Sequence, residues 1–221
     1  MRQILIVHSS IDDRFEVFFS KVFRAVAVKT VWETYKNLGE GPVAKDRIQK
    51  EILESDALFF VLSTDNEVSG QAKNWFPWAT NLAKEKDFWV FEHCEDLKRV
   101  PVLIPNLGHY VAYYITNAWC DYVTKIAETY EKPKVAGVAL PEVLFKPLTS
   151  TEETALFDPS TGLAFFDDST ARPIGLKAVC PSCSGAYGLH VPSEMKAIRC
   201  PACGHLYGIQ QPAKATTPAK V

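Results

Sequence analysis

Two Cys-Pro-X-Cys turns, Cys180-Pro181-Ser182-Cys183 and Cys200-Pro201-Ala202-Cys203, sit close together in the last fifth of the chain. Two cysteines separated by two residues present both sulfurs to one ion, and two such turns complete a closed tetrahedron of thiolates. The spacing predicts one structural zinc ion on Cys180, Cys183, Cys200 and Cys203. A closed tetrahedron leaves no open position for substrate, so the metal is expected to hold together a segment too small to fold unaided. Pro181 and Pro201 stiffen the two turns, and Gly204 permits the tight turn after the second. Between them, Tyr187 to Val191 and Ala197 to Arg199 have the length of a short hairpin. Residues 179–209 therefore read as a small C-terminal zinc ribbon.

The other two cysteines, Cys94 and Cys120, stand alone. Free thiols beside thiolate ligands suit a reducing compartment, which places the protein in the cytoplasm. No apolar run is long enough to span a bilayer. The Gln3 to Val7 run is short, lacks a following small-residue cleavage site, and reads as a buried first strand rather than a signal peptide. A formal net charge of -2 gives no general attraction to nucleic acid or to an anionic membrane.

With 221 residues, 47% of them hydrophobic, the chain can bury a core of ordinary size besides the ribbon. Residues 1–131 alternate apolar runs with helical patterns. Phe15, Phe18, Phe19, Val22, Phe23 and Val26 recur at spacings of three and four, the period of a helix with one buried face. Ser10 followed by Asp13 reads as its N-cap and N3 pair. A strand follows at Val28 to Trp32, a Gly/Pro loop at residues 37–42, and a helix burying Ala44, Ile48 and Ile52. Ala57 to Leu62 is almost wholly apolar, as a central strand covered on both faces must be. A helix is expected from Trp75 to Lys86, beginning at Pro77 as its N1 residue if the pre-proline rule governs Phe76, then a strand at Phe88 to Phe91. Val102 to Ile104 extends or edges the sheet. A long helix closes the unit, with Val111, Tyr114, Ile115, Ala118, Trp119, Tyr122, Val123 and Ile126 on one face and Tyr113 off that stripe, open to a partner. Alternation of this kind predicts an α/β fold: a parallel sheet with helices on both faces. Prolines break the pattern over 132–178, where Leu163 to Phe166 supplies one strand of a small hairpin and residues 149–154 run over the surface. Residues 210–221 have nothing to pack and are expected to be disordered.

The order of features at the amino-terminal end resembles Toll/interleukin-1 receptor (TIR) domains. A first strand runs into Val7-His8-Ser9-Ser10 and then Asp13. Trp32-Glu33 follows the second strand, and the loop at 37–42 takes the position of the family's BB loop. Next come the helix through Ile48, Ile52 and Ser55, the strand ending Val61-Leu62-Ser63, and the downstream Ser69 and Trp75. The resemblance covers residues 3–125 and implies a flavodoxin-like sheet; another flavodoxin-like or nucleoside-hydrolase-like sheet is the competing reading, since fold alone does not fix function. TIR domains either cleave NAD, often to make signal nucleotides in defence, or act as adaptor modules by assembly. His8, Ser9, Ser10, Trp32, Ser63 and Trp75 are the candidate nucleotide contacts at the sheet edge: the backbone after the first strand is a natural anion site, with capping of the following helix by Ser9 or Ser10 as the equal alternative, and Trp32 can stack on a base although the core is the commoner place for it.

NAD-cleaving members of the family carry a glutamate on the helix after the third strand, four residues beyond a tryptophan, where it stabilises the charge that develops as nicotinamide leaves. Counting four from Trp75 reaches Ala79, with Trp78 before it. Neither supplies a negative charge. Glu92 and Glu33, each ending a strand at the carboxyl edge where open α/β sheets bind ligands, are the two substitutes. His93 and Cys94 adjoin Glu92, but strand neighbours point to opposite faces and do not make a nucleophile and its base.

Three functions follow. The first is a TIR-like signalling or defence module that binds NAD or a related nucleotide without efficient cleavage and acts through self-association or a protein partner. The second is an active NAD glycohydrolase or cyclase using Glu92 or Glu33. The third is a nucleic-acid-binding protein led by the ribbon, for which Lys196 and Arg199 are thin support. The first is favoured.

Overall fold

The computed structural model describes residues 2–9, 13–39, 41–62, 75–94, 104, 106–131, 140–152, 157–158, 162–163 and 170–210. Strand β1 (Gln3–His8) is buried along its whole length, and α1 (Asp13–Phe23) buries Phe15, Phe18, Phe19, Val22 and Phe23, the stripe its periodicity predicts. Strand β2 (Lys29–Thr34) leads through a 3-10 turn (Tyr35–Gly39) into α2 (Pro42–Glu54), whose proline sits in the first turn, where a missing N–H costs nothing. Gly41, at φ 109°, caps that helix in a conformation few side chains tolerate. Ile48 and Ile52 are the buried residues of α2, whereas Ala44 is only half-buried. Strand β3 (Ala57–Leu62), a helical stretch α3 over 75–82, β4 (Asp87–His93), β5 (His109–Tyr113) and α4 (Asn117–Glu128) complete the alternating part.

The remaining strands are β6 (Leu144–Pro147), β7 (Phe157–Asp158), β8 (Gly162–Leu163), β9 (Pro173–Val179), β10 (Ala186–Pro192), β11 (Ala197–Arg199) and β12 (Leu206–Gln210). The main sheet has seven strands in the order β2-β1-β3-β4-β5-β10-β9. All neighbours are parallel except β9, which runs antiparallel to β10. Strands β11, β12 and β6 make a second sheet, and β7 with β8 a two-stranded ribbon.

Helices cover both faces, as ring contacts from adjacent residues of β3 show. Phe59 meets Phe23 of α1 at 5.9 Å, while Phe60 meets Phe76 at 5.1 Å and Trp75 at 6.0 Å, both on α3. Successive strand residues point to opposite faces, so α1 and α3 lie on opposite sides. Helix α4 shares the α1 side, with the Thr124 hydroxyl donating to the Val22 carbonyl at 3.3 Å. No helix among the described residues is long and apolar enough to cross a membrane.

Several expectations are corrected. The long closing helix is half strand: His109–Tyr113 forms β5, and α4 begins only after Thr116, whose side chain accepts a hydrogen bond from the Trp119 N–H. The run of aromatic and β-branched residues there satisfies a helical stripe by coincidence, and the sheet uses it because both faces are covered. Tyr113, expected on a partner surface, is fully buried against Phe18 and Phe91. Helix α3 is already formed at Trp75, so Pro77 is not its N1 residue. Finally, the boundary at 178/179 falls inside one unit. Strand β9 ends there, and β10 pairs with β5, so the cysteine-bearing segment contributes two strands to the main sheet. The two runs expected to pair with each other, in β10 and β11, belong to different sheets. Ile104 is buried but lies outside any strand, and Leu163 does enter the small β7–β8 pair. The proposed Ser10 cap and the tail beyond residue 210 lie outside the described residues, as do Val102 and Leu103.

Candidate metal centre and carboxyl-edge site

Each Cys-Pro-X-Cys turn is the tip of a hairpin. The first joins β9 to β10 and the second joins β11 to β12. Their backbones repeat each other. The Cys180 N–H donates to the Gly185 carbonyl at 2.9 Å and the Cys200 N–H to the His205 carbonyl at 2.7 Å. The Ser184 N–H returns to the Cys180 carbonyl, and the Gly204 N–H to the Cys200 carbonyl, both at 2.8 Å. Ser184 and Gly204 occupy equivalent left-handed positions, φ 56° and 80°, which only the second turn fills with glycine.

The four sulfurs all lie within 4.8 Å of one another. Cys180 Sγ and Cys203 Sγ are 3.6 Å apart, and Cys183 Sγ and Cys200 Sγ 4.0 Å. A tetrahedron with Zn–S bonds of about 2.3 Å puts its sulfurs about 3.8 Å apart. The cradle therefore fits a tetrahedral thiolate ion and is too open for disulfides. Burial resists ionisation of Cys180, but the N–H groups of Cys183 and Ser182 and the Tyr207 hydroxyl outweigh it and bring the thiol down to about 6. Burial pushes the Cys200 and Cys203 thiols up instead. The Tyr207 hydroxyl also binds Ser182, and Tyr187 is buried beside Cys200. Backbone N–H groups of the two turns are donors that face the sulfurs, of the kind that tunes a metal site.

The carboxyl edge lies at the other end of the strands. His8 and Ser9 are buried at the end of β1, the His8 Nδ1–H donating to the Ser9 carbonyl at 2.7 Å. Trp32 stands edge-on to His8, ring centres 5.5 Å apart, and is half-buried. These three share one corner. Trp75 does not join them. It is fully buried, its indole N–H donates to the Tyr35 carbonyl at 2.9 Å, and it packs on Phe60, so it is a core residue rather than a stacking platform. Ser10 and Ser63 lie outside the described residues.

Glu33 is 3% exposed and fully engaged. Arg47 grips both its oxygens, with Nη2 to Oε2 at 3.1 Å, and the Asn37 amide donates to Oε2 at 2.5 Å. Burial opposes the charge, but the Arg47 and Asn37 hydrogen bonds outweigh it and hold the carboxyl below its ordinary range. Glu33 thus fixes β2 to the 3-10 turn and α2. Glu92 is half-buried and accepts a hydrogen bond from the Tyr110 hydroxyl, whose own ionisation is suppressed by burial and by the Glu92 charge. Three inter-strand steps separate the strands of Glu33 and Glu92, about 14 Å, so the two carboxylates cannot act as a pair. Ala79 is fully buried and Trp78 half-buried, so neither position supplies charge. His93 and Cys94 are both buried, His93 among Phe15, Tyr113 and Tyr114.

One cluster escaped the sequence reading. His190 of β10 is 4% exposed and sits between His109 of β5, Nε2 to Nδ1 at 3.2 Å, and Tyr122 of α4, Nδ1 to hydroxyl at 2.8 Å. Trp89 stacks on His109 with centroids 3.8 Å apart, and its N–H donates to the Tyr130 hydroxyl, which donates to Asp87. Burial and the neighbouring His109 push His190 down to about 3. Gly175 and Gly188 make room: a Cβ at Gly188 would lie 2.3 Å from His109 Nδ1. Glycines inside two strands were the available signal of such close approach.

These features define an α/β protein with a mostly parallel seven-stranded sheet and a four-cysteine cradle able to hold a metal ion. No family model matches the chain, and no curated protein matches it. Among solved structures, the glutaminase domain of Trypanosoma brucei CTPS with bound acivicin aligns at 19% identity over 44% of this chain and 38% of that one, with a TM-score of 0.29. The chain spans well under two thirds of that domain, and a superposition of this quality carries no argument about fold or function.

Proposed function

We propose that the chain is a TIR-like signalling module that holds NAD or a related nucleotide at its carboxyl edge without efficient cleavage, acts through self-association or a protein partner, and carries one structural zinc ion. The strand order β2-β1-β3-β4-β5, the flavodoxin-like order, supports the fold half of this reading. The observation that carries the functional half is the neutralised corner beside His8 and Ser9. Among the described residues there, Glu33 is sealed by Arg47 and Asn37, and Ala79, the position the resemblance gives to the acid, is buried and uncharged. A glycosidic bond to nicotinamide breaks through a cationic transition state, and a carboxylate already paired with a guanidinium contributes little to stabilising it. The cysteine cradle supports zinc by its donor set and its spacing, and reduced thiolate ligands suit a cytoplasmic protein.

Incubation with NAD tests this reading. Saturable binding with no nicotinamide release above the protein-free rate is expected. Glu92, half-buried at the same edge with a phenol as partner, supports the second reading, a glycohydrolase. Turnover that Glu92→Gln abolishes would establish it and overturn the first. A nucleic-acid role has less support, because the Arg199 guanidinium donates to the Gly204 carbonyl at 2.9 Å within the second turn. Binding to DNA or RNA that weakens steeply with salt would revive it.

A further inference from the structure

The metal cradle lies at the amino edge of the sheet, away from the proposed nucleotide corner, and its position in the topology gives it reach. An ion on the four sulfurs ties the tip of β9–β10, the last two strands of the main sheet, to the tip of β11–β12 in the small sheet. Strand β10 meets β5 over Gly188–His109, Leu189–Tyr110 and His190–Val111 alone. This is the shortest seam in the sheet: β10 and β9 pair from Ala186–Val179 to Pro192–Pro173, and β4 and β5 from Trp89–His109 to His93–Tyr113. No short connection closes it, since α4 and the whole 132–172 region intervene between β5 and β9. A two-stranded hairpin is marginal by itself, so β9–β10 depends on what holds it to β5.

The second turn is moored to the segment entering β5. The Ile104 N–H donates to the Pro201 carbonyl at 2.9 Å, and Ile104 is fully buried. The ion and this bond together bracket the amino end of the β5–β10 seam from both sides. We infer that metal occupancy locks this seam, so that release of the ion is a conformational switch that opens the α/β sheet between β5 and β10. This inference rests on the zinc reading above.

Opening is a local event, because Leu189, Val191, Leu176 and Ala178 are buried and favour reclosure. It nevertheless reaches the other edge. Tyr110 lies between Val90 and Leu189 in the sheet, and its hydroxyl donates to Glu92. Loss of the Leu189 flank loosens that phenol, so metal at one end of the strands is felt at the Tyr110–Glu92 hydrogen bond at the other.

Hydrogen exchange on the full-length protein tests the lock, compared as purified, after chelation, and after zinc is restored, with metal content measured on each sample. Amides of residues 109–113 and 186–192 are expected to exchange about tenfold or more faster after chelation, those of β1 and β3 to change little, and zinc to reverse the effect. Cys203→Ser should reproduce the chelated pattern without chelator. Faster exchange confined to residues 180–185 and 200–205 would overturn the inference while leaving zinc binding intact. Uniform loss of protection through β1 and β3 would also overturn it, since the ion would then be a global staple. Protein that contains no metal as purified overturns the zinc reading and this inference together.

Discussion

Acid should weaken this protein through His190 in a way that one substitution can isolate. The imidazole is 4% exposed, and its partners are His109, Tyr122 and Trp89, none of them an anion that could stabilise an imidazolium. Gly175 faces it from β9 with no side chain. Burial, followed by the His109 charge, depresses His190 from 6.5 to about 3, so between those values the unfolded chain binds a proton that the folded chain refuses. Stability is therefore full above 6.5 and is lost as pH falls toward 3. For one group with these two values, lowering pH from 7 to 5.5 removes on the order of 1 kcal/mol. Urea unfolding at a series of pH values, on the wild type and on His190→Gln, measures the term. Carboxylates and metal ligands contribute equally to both proteins, so the difference between the two pH slopes belongs to His190. The wild type should lose about 1 kcal/mol more than the variant over that interval. Parallel slopes would show that the folded protein accepts the proton, and would refute the closed His109–His190–Tyr122 relay.

Arg47→Met leaves Glu33 buried without its guanidinium and should cost about 3–5 kcal/mol in denaturant unfolding, much of it recovered by a second change, Glu33→Gln. Gly188→Ala puts a methyl against His109, which cannot swing away while stacked under Trp89; a loss of about 1–3 kcal/mol is expected, with the His109 and His190 ring signals perturbed in NMR spectra. Thr116→Ala removes the N-cap of α4 and should cost about 1 kcal/mol, an unchanged midpoint arguing against the cap.

Much of the alternating core was legible in the sequence because its elements are amphipathic or wholly apolar. The Phe15-to-Phe23 stripe and the Ala57–Leu62 run each admit one environment, and both take it. The His109–Tyr114 run admits two. A buried strand carries apolar residues on both faces and so satisfies a helical template as well, and only the Thr116 cap marks where the helix starts. The cysteine cradle was legible because metal geometry demands local spacing. Its sheet partner was not, because strand pairing across more than seventy intervening residues leaves no local trace; the β5–β10 seam and the His190 relay both arise from that pairing. The same limit applies to Glu33, whose position at a strand end suggested a free carboxylate until the α2 fold brought Arg47 onto it.

Native mass spectrometry of the purified full-length protein, under non-reducing conditions and without added metal, addresses the four-cysteine centre most directly. The expected mass is that of the intact chain plus one zinc ion, less the protons displaced from the coordinating thiols, with the ion removed by a strong chelator. A metal-free mass, or one lowered by the formation of disulfides among Cys180, Cys183, Cys200 and Cys203, would contradict it.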